Sequence, residues 1–387
     1  MSKLTNIEQL YRERTKKRLI RRMVAFTTLA LVIVGTFYIF RMTEDFDVKE
    51  GLERLTENFS KGPGYPVVTP KGKIYKLDTM GSGVSLLNDT NFYRYSASGK
   101  ELMNLQHGYY RPVAVQSDDR VVLYDQGGTG LRVDGRGKTL FQKNYSHSLV
   151  TVDINNSNQV AVATGSSRYA GEVTVYNKNF EEIYIWQSEN LITALSLAEK
   201  DNMMAVSTVE TVDGTLRTTV RFLKFSSAEE YAKLVLDDQM VYSIAFKGKD
   251  NVLYVVTDQN IYSVSTQGVV LSHFSLENRT LWAFDNSDES GIAFALGDYK
   301  EQRKLSLYQL NSDLKATGPV TFTDHMLSLK CSQGNLYVLA DNMLYSYNGK
   351  MELLGSTILP DAKAITVSDK ELYYATSSKI DKLTVGS

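Results

Sequence analysis

One cysteine in 387 residues, Cys331, excludes an intramolecular disulfide, although secreted domains of oxidising compartments commonly rely on them. A bacterial surface fits that absence better than a eukaryotic secretory route. In LSLKCSQG the thiol sits in a strand pattern, so it is expected to be buried and inert; a reactive thiol needs an electropositive, partly exposed setting. No run of basic residues follows Arg22, and a nucleic-acid surface normally shows one as a patch or stripe. Nucleic acid is therefore not an expected partner. Neither a Gly-x-Ser-x-Gly elbow nor a His-Glu-x-x-His helix occurs, so the common hydrolase and zinc-protease signatures are missing.

What is present begins with one uncharged apolar run, MVAFTTLALVIVGTFYIF over residues 23–40. As a helix rising about 1.5 Å per residue it would span about 27 Å, close to the thickness of a bilayer core. Residues 1–22 carry eight basic side chains against Glu8 and Glu13, while Glu44, Asp45 and Asp47 follow the run. The excess of positive charge predicts a cytoplasmic N-terminus, and Phe37, Tyr38 and Phe40 stand where interfacial aromatics belong. A cleaved signal peptide would end in a small-x-small site, whereas this run ends Phe-Tyr-Ile-Phe-Arg-Met. The expectation is a single-pass plasma-membrane protein with a basic tail (1–22), an uncleaved signal anchor (23–40) and everything beyond it extracytoplasmic. Of 43 basic and 44 acidic residues, 35 and 42 lie beyond residue 22, so the remainder carries a net charge of −7.

From residue 65 to the C-terminus a unit of strand, polar turn and strand recurs. It reads PVAVQSDDRVVLYD from Pro112, LVTVDINNSNQVAVAT from Leu149, ITALSLAEKDNMMAVST from Ile192 and VYSIAFKGKDNVLYVVT from Val241. LWAFDNSDESGIAFAL, MLSLKCSQGNLYVLA and AKAITVSDKELYYAT continue the series, and a looser copy runs from Ile74 to His107. Each copy alternates apolar and polar residues, turns on Asp, Asn, Ser, Gly or Lys, and resumes with β-branched and aromatic residues, which is a hairpin pattern. A third strand follows, and usually a fourth. Four strands at this period predict an all-β fold, a β-propeller of seven or eight four-stranded blades over residues 65–387, with eight favoured. The last copy has chain left for only three strands, so a segment from residues 65–70 is expected to supply the fourth and remove the open edge.

Between anchor and ring, residues 41–64 form a stalk in which Val48, Leu52, Leu55 and Phe59 recur at helical spacing. They predict a short amphipathic helix, packed on the propeller or pairing in a short coil, that ends at Gly62-Pro63-Gly64.

With its basic tail, single anchor, GPGYPV lead-in, LLNDTNFYRYSASGKEL and VVLYDQGGTGLRV, the chain resembles an uncharacterised family of Gram-positive bacterial single-pass membrane proteins known only as a domain of unknown function. The resemblance implies the same topology and a propeller ectodomain. The blades are more distantly similar to WD40-like and quinoprotein-like propellers. A recurring Trp-Asp dipeptide, an Asp-box and a kelch-type Gly-Gly are all absent from the repeat, and no cofactor is expected.

Three chemical candidates reduce to structural readings. Residues 125–130, Asp-Gln-Gly-Gly-Thr-Gly, lack the Lys-Ser/Thr and the helix of a phosphate loop and read as a β-turn. Among the four histidines, His107, His147 and His325 fall at blade junctions, while His273 does not; nothing converges them on a metal, and no metal site is expected. Asp285, Asp288 and Glu289 miss the calcium-loop spacing and read as a solvated turn. The 24 tyrosines suit contact surfaces, but Tyr254, Tyr337 and Tyr373 repeat at equivalent strand positions and read as packing. Tyr109, Tyr110 and Arg111 in the junction HGYYRP are the expected partner contacts. The function expected is a non-catalytic binding platform for another envelope protein; the alternative is a surface enzyme acting on envelope glycans or an exported small molecule.

Overall fold

The second strand of every unit is apolar along both faces, so it is stable only when covered on both sides, and that requirement organises the molecule. In the computed structural model, which describes residues 23–24, 26–36 and 62–385 except 136–137, 249, 289–290, 299–300 and 369, these strands are interior. Val121, Val122 and Leu123 are fully buried, as are Ala161, Ala163, Val255, Val256, Ala293 and Phe294. Burying one Val, Leu or Phe side chain stabilises a fold by roughly 1.5–3 kcal/mol, and each blade repeats the arrangement.

Residues Met1–Ser60 and Lys61–Ser387 form two separate compact units. In the first, residues 23–24 and 26–36 are helical, with Phe26, Leu29, Leu31 and Val32 exposed. Among the described residues no helix is long and apolar enough to cross a membrane. The rest of the expected anchor, the basic tail and the expected stalk helix over 48–59 lie outside the described residues; residues 62–64 carry no regular structure.

The second unit is an eight-bladed propeller of four-stranded antiparallel sheets, the larger of the two counts the sequence allowed. Blades 1–8 open with innermost strands Ile74–Met80, Pro112–Gln116, Leu149–Ile154, Leu191–Leu197, Val241–Lys247, Thr280–Asp285, Met326–Ser332 and Ala364–Ser368. Seven blades are continuous in sequence. In blade 8 the outer strand is Val67–Val68, which pairs with Ile380 and Lys379, so the ring closes with the N-terminal segment predicted from the missing edge. Tyr65 secures this closure, its ring edge-on to Tyr373 with centroids 5.3 Å apart and its hydroxyl donating to the Ser96 carbonyl of blade 1 at 2.9 Å.

Because the strands of each blade are antiparallel, all innermost strands start on one side of the ring. That side, here the upper face, carries the junction from each outer strand to the next innermost strand and the turn between second and third strands.

Candidate functional site

Six of the eight innermost strands carry a β-bulge near their upper end. The unpaired residues are Tyr75, Val150, Thr193, Tyr242, Trp282 and Leu327. A bulge sets two residues opposite one and re-aims a side chain. In blade 5, Val241 and Ile244 are both buried although three positions apart, which strict alternation forbids; the extra residue, Tyr242, turns out to solvent. Tyr242 is 53% exposed, Trp282 51%, Tyr75 43% and Leu327 37%. Large apolar side chains so exposed at equivalent positions form a surface rather than scattered exceptions.

Of the expected contacts, Tyr110 belongs to this face at 86% exposure, and Arg111 beside it is also exposed. The Arg111 backbone N–H donates to the Asp125 carboxylate at 2.7 Å, which pins the junction to the turn between second and third strands of blade 2. Tyr109 goes the other way. It stacks on His107 with ring centroids 5.7 Å apart and lies over Gly130, where a Cβ would come within 2.9 Å of its ring. Burial raises the pKa of its phenol. The structure thus splits the YYR triplet into one packing residue and two surface residues.

His107 is buried, with Nε2 3.1 Å from the Asn88 carbonyl, and burial lowers its pKa. His325 is exposed and faces Asp341 at 3.3 Å. The Asp-Gln-Gly-Gly-Thr-Gly segment is the turn between two strands that was expected: Gly127 adopts φ 81° and its N–H donates to the Leu149 carbonyl of the next blade at 2.8 Å. Tyr254, Tyr337 and Tyr373 are buried in the blades.

The acidic turn requires a correction. Asp285 is the last residue of an innermost strand and is buried; it accepts the Cys331 backbone N–H at 2.8 Å and pairs with the Lys330 ammonium at 3.3 Å. Burial and the neighbouring Asp288 and Asp285 push the Cys331 thiol up to about 12, so the thiol has the inert character expected of it. Asp288, on the lower face, receives the Gly334 N–H at 3.4 Å, and Glu289 lies outside the described residues. A cavity of about 270 Å³ sits there, with Asp78, Asp288, Lys330 and Thr366 in its wall. Asp78 is ion-paired with Lys76 at 2.8 Å, and Lys76 and Lys330 outweigh burial to lower its pKa. Asp285 and Asp288 thus bond from blade 6 to blade 7, and Asp78 is engaged within its own strand.

The model of the family of unknown function DUF5711 matches residues 69–385, the whole propeller except its two-residue closing strand Val67–Val68. The chain belongs to DUF5711. A comparison with curated proteins finds no match. Among solved structures, the DUF5711 propeller is similar to the computationally designed Ika8 protein, with a TM-score of 0.60 and 14% identity over 84% of this chain and 98% of that one. Sqt1 of Saccharomyces cerevisiae superposes with a TM-score of 0.60 at 10% identity, over 84% of this chain and all of Sqt1. BamB of Moraxella catarrhalis gives 0.54 at 12% identity, over 83% and 98% of the two chains. At such identities the likeness is one of fold.

Proposed function

We propose that this DUF5711 protein is a membrane-anchored scaffold that presents the upper face of an extracytoplasmic propeller to a partner protein of the cell envelope. One observation carries the reading: Tyr75, Tyr110, Tyr242, Trp282 and Leu327 stand exposed on the same face. Aromatic side chains offer large contact area with little conformational freedom to lose, and they dominate binding energy at protein interfaces. The scaffold fold is compatible with this use, and the acids of the lower cavity are committed to structural bonds.

The anchor is supported by the uncharged run 23–40 and the basic tail before it. The described part of the helix is apolar all round and exposed. The Thr27, Thr28 and Thr36 hydroxyls each donate to the carbonyl four residues earlier, leaving no side-chain polar group to be hydrated, as a hydrocarbon environment requires.

The test is cross-linking of tagged full-length protein in its native host, wild type against the Tyr110→Ala/Tyr242→Ala/Trp282→Ala variant, with protease added to intact cells. Expected are a reproducible envelope partner that the variant loses and a propeller that the protease reaches. Equal capture by both proteins removes the upper face from the proposal. A propeller protected until the cells are broken removes the orientation.

A further inference from the structure

The upper face is not uniform. In blades 4 and 6 the second and third strands run Met203–Val212, Thr215–Lys224, Gly291–Asp298 and Glu301–Asn311, eight to eleven residues each, against five or six in the other six blades. Their register locates the surplus. In blade 4 the start of the innermost strand, Leu191, pairs with Val209, while the second and third strands continue pairing out to Val212 and Thr215. In blade 6, Thr280 pairs with Gly297 and the hairpin continues past it. Both surpluses therefore emerge on the upper face. Blade 5 between them turns tightly at Asp258-Gln259. By strand register blade 5 is the low side of a cleft between the two longer hairpins, and Tyr242 of blade 5 and Trp282 of blade 6, the two most exposed bulge residues, lie on the innermost strands beside it.

The charge of the face changes across the ring. Over blades 1–3 its turns and junctions carry Lys71, Lys73, Arg111 and Arg168 against Asp89, Asp125 and, at the junction to blade 4, Glu189. Around the cleft, among the residues whose side chains are described, the acids Glu210, Asp213, Asp237, Asp238, Asp258, Glu277 and Asp298 outnumber the cations Arg217, Arg279 and Lys304. Arg217 is already paired with Asp237 at 2.7 Å, and Glu210 and Asp213 add to the negative field around it. Arg279 is paired with Asp298 at 3.5 Å.

We propose that this cleft takes a cationic, partly apolar polypeptide segment of the partner protein. Its apolar side chains lie on Tyr242 and Trp282, and its Lys or Arg side chains meet Glu210, Asp213, Asp238 and Glu277. The inference rests on the platform reading and specifies the partner's chemistry. An acidic surface attracts a basic segment and rejects an acidic one by like-charge repulsion, while Trp and Tyr rings add a face for cations as well as for apolar groups.

The experiment titrates full-length protein with fluorescein-labelled synthetic peptides of alternating Lys and Val, or alternating Glu and Val. Three variants are compared with wild type: Glu210→Gln/Asp213→Asn/Asp238→Asn/Glu277→Gln, Trp282→Ala, and Asp361→Asn on blade 8 as the remote control. All the substituted side chains are at least partly exposed, and thermal melting checks that each variant folds. The Lys/Val probe is expected to bind, to weaken with added salt, to shift Trp282 emission, and to lose about tenfold or more in affinity in the first two variants. The Glu/Val probe is expected not to bind, and Asp361→Asn to behave as wild type.

Equal affinity for the two probes, or a neutralised variant that binds like wild type, overturns the proposal. If the Lys/Val probe fails while Trp282→Ala still loses the partner cross-linked in cells, the cationic segment falls and the platform stands. If no partner is cross-linked either, both fall.

Discussion

The carboxylate of Asp285 on blade 6 accepts the backbone N–H of Cys331 on blade 7 at 2.8 Å, joining two innermost strands that share no sheet. The same clamp recurs between blades 3 and 4, where Asp153 accepts the Leu197 N–H at 2.8 Å, and between blades 4 and 5, where Ser196 accepts the Phe246 N–H at 3.1 Å. Apolar side chains between neighbouring blades fix distance better than register, and further polar bonds cross the same gap, such as Gln116 Nε2 donating to the Thr79 carbonyl at 2.6 Å and Asn155 Nδ2 to the Ala198 carbonyl at 2.9 Å. A directional bond at the channel wall supplies the register.

Replacing Asp285 by Ala is expected to destabilise the propeller by about 2–4 kcal/mol, because it leaves the buried Cys331 N–H and the Lys330 ammonium without their acceptor. Asp285→Asn keeps an acceptor for the N–H and should lose less. Denaturant unfolding of both variants checks the order; equal stabilities would show that the clamp is dispensable.

Burial raises the Asp153 carboxyl from 3.8 to about 6, against the opposing bonds from the Leu197 and Ile154 amides. With the folded value above the unfolded one, the native state holds the proton more tightly. The resulting stabilisation is full below about pH 4 and is lost as the pH rises through 6. The difference is at most about 3 kcal/mol. Asp153→Asn should flatten this part of the stability profile between pH 4 and 7, and an unchanged slope would reassign it to other groups.

The Cys331 thiol, 4% exposed and pushed up to about 12, should resist alkylation in the folded protein at pH 8 and react once denaturant is added. Thiolate is the reacting form. Mass spectrometry after iodoacetamide treatment distinguishes the cases, with stoichiometric labelling of native protein counting against the buried setting.

Tyr109 and Tyr110 offer a direct comparison. Tyr110→Ala is expected to leave stability within about 0.5 kcal/mol of wild type, as for most exposed positions. Tyr109→Ala removes a ring packed on His107 and Gly130 and should cost about 2 kcal/mol. Melting temperatures would reveal the reverse order if the two roles were exchanged.

Val67→Asp tests ring closure. Val67 is 7% exposed in a two-residue strand, and burying an unpaired carboxylate there should cost about 3 kcal/mol. Hydrogen exchange of residues 364–384 should rise more than that of blades 2–6. A uniform increase would mean that blade 8 does not open first.

Much of this was legible in the sequence. The recurring hairpin gave strand content and period, and the short last unit called for an N-terminal strand, found at Val67–Val68. The bulges were written there too, in IYKL, VYSI, LWAF and MLSL, where two adjacent large residues interrupt alternation, but a period-of-two reading passes over an inserted residue. Asp285 was misread because a strand that ends on an aspartate looks like a turn that begins with one. The long hairpins of blades 4 and 6 were visible only as wider spacing between units.

The sequence by itself determined the fold class, the repeat and the closing segment, because alternation and turn chemistry are local and each strand carries its own. The tertiary structure decided which side chains face out at the bulges, which carboxylates clamp adjacent blades, and that acids from three blades gather around one cleft. Those outcomes depend on what the neighbouring blade covers, and that neighbour lies some forty residues away along the chain, beyond the reach of any local pattern.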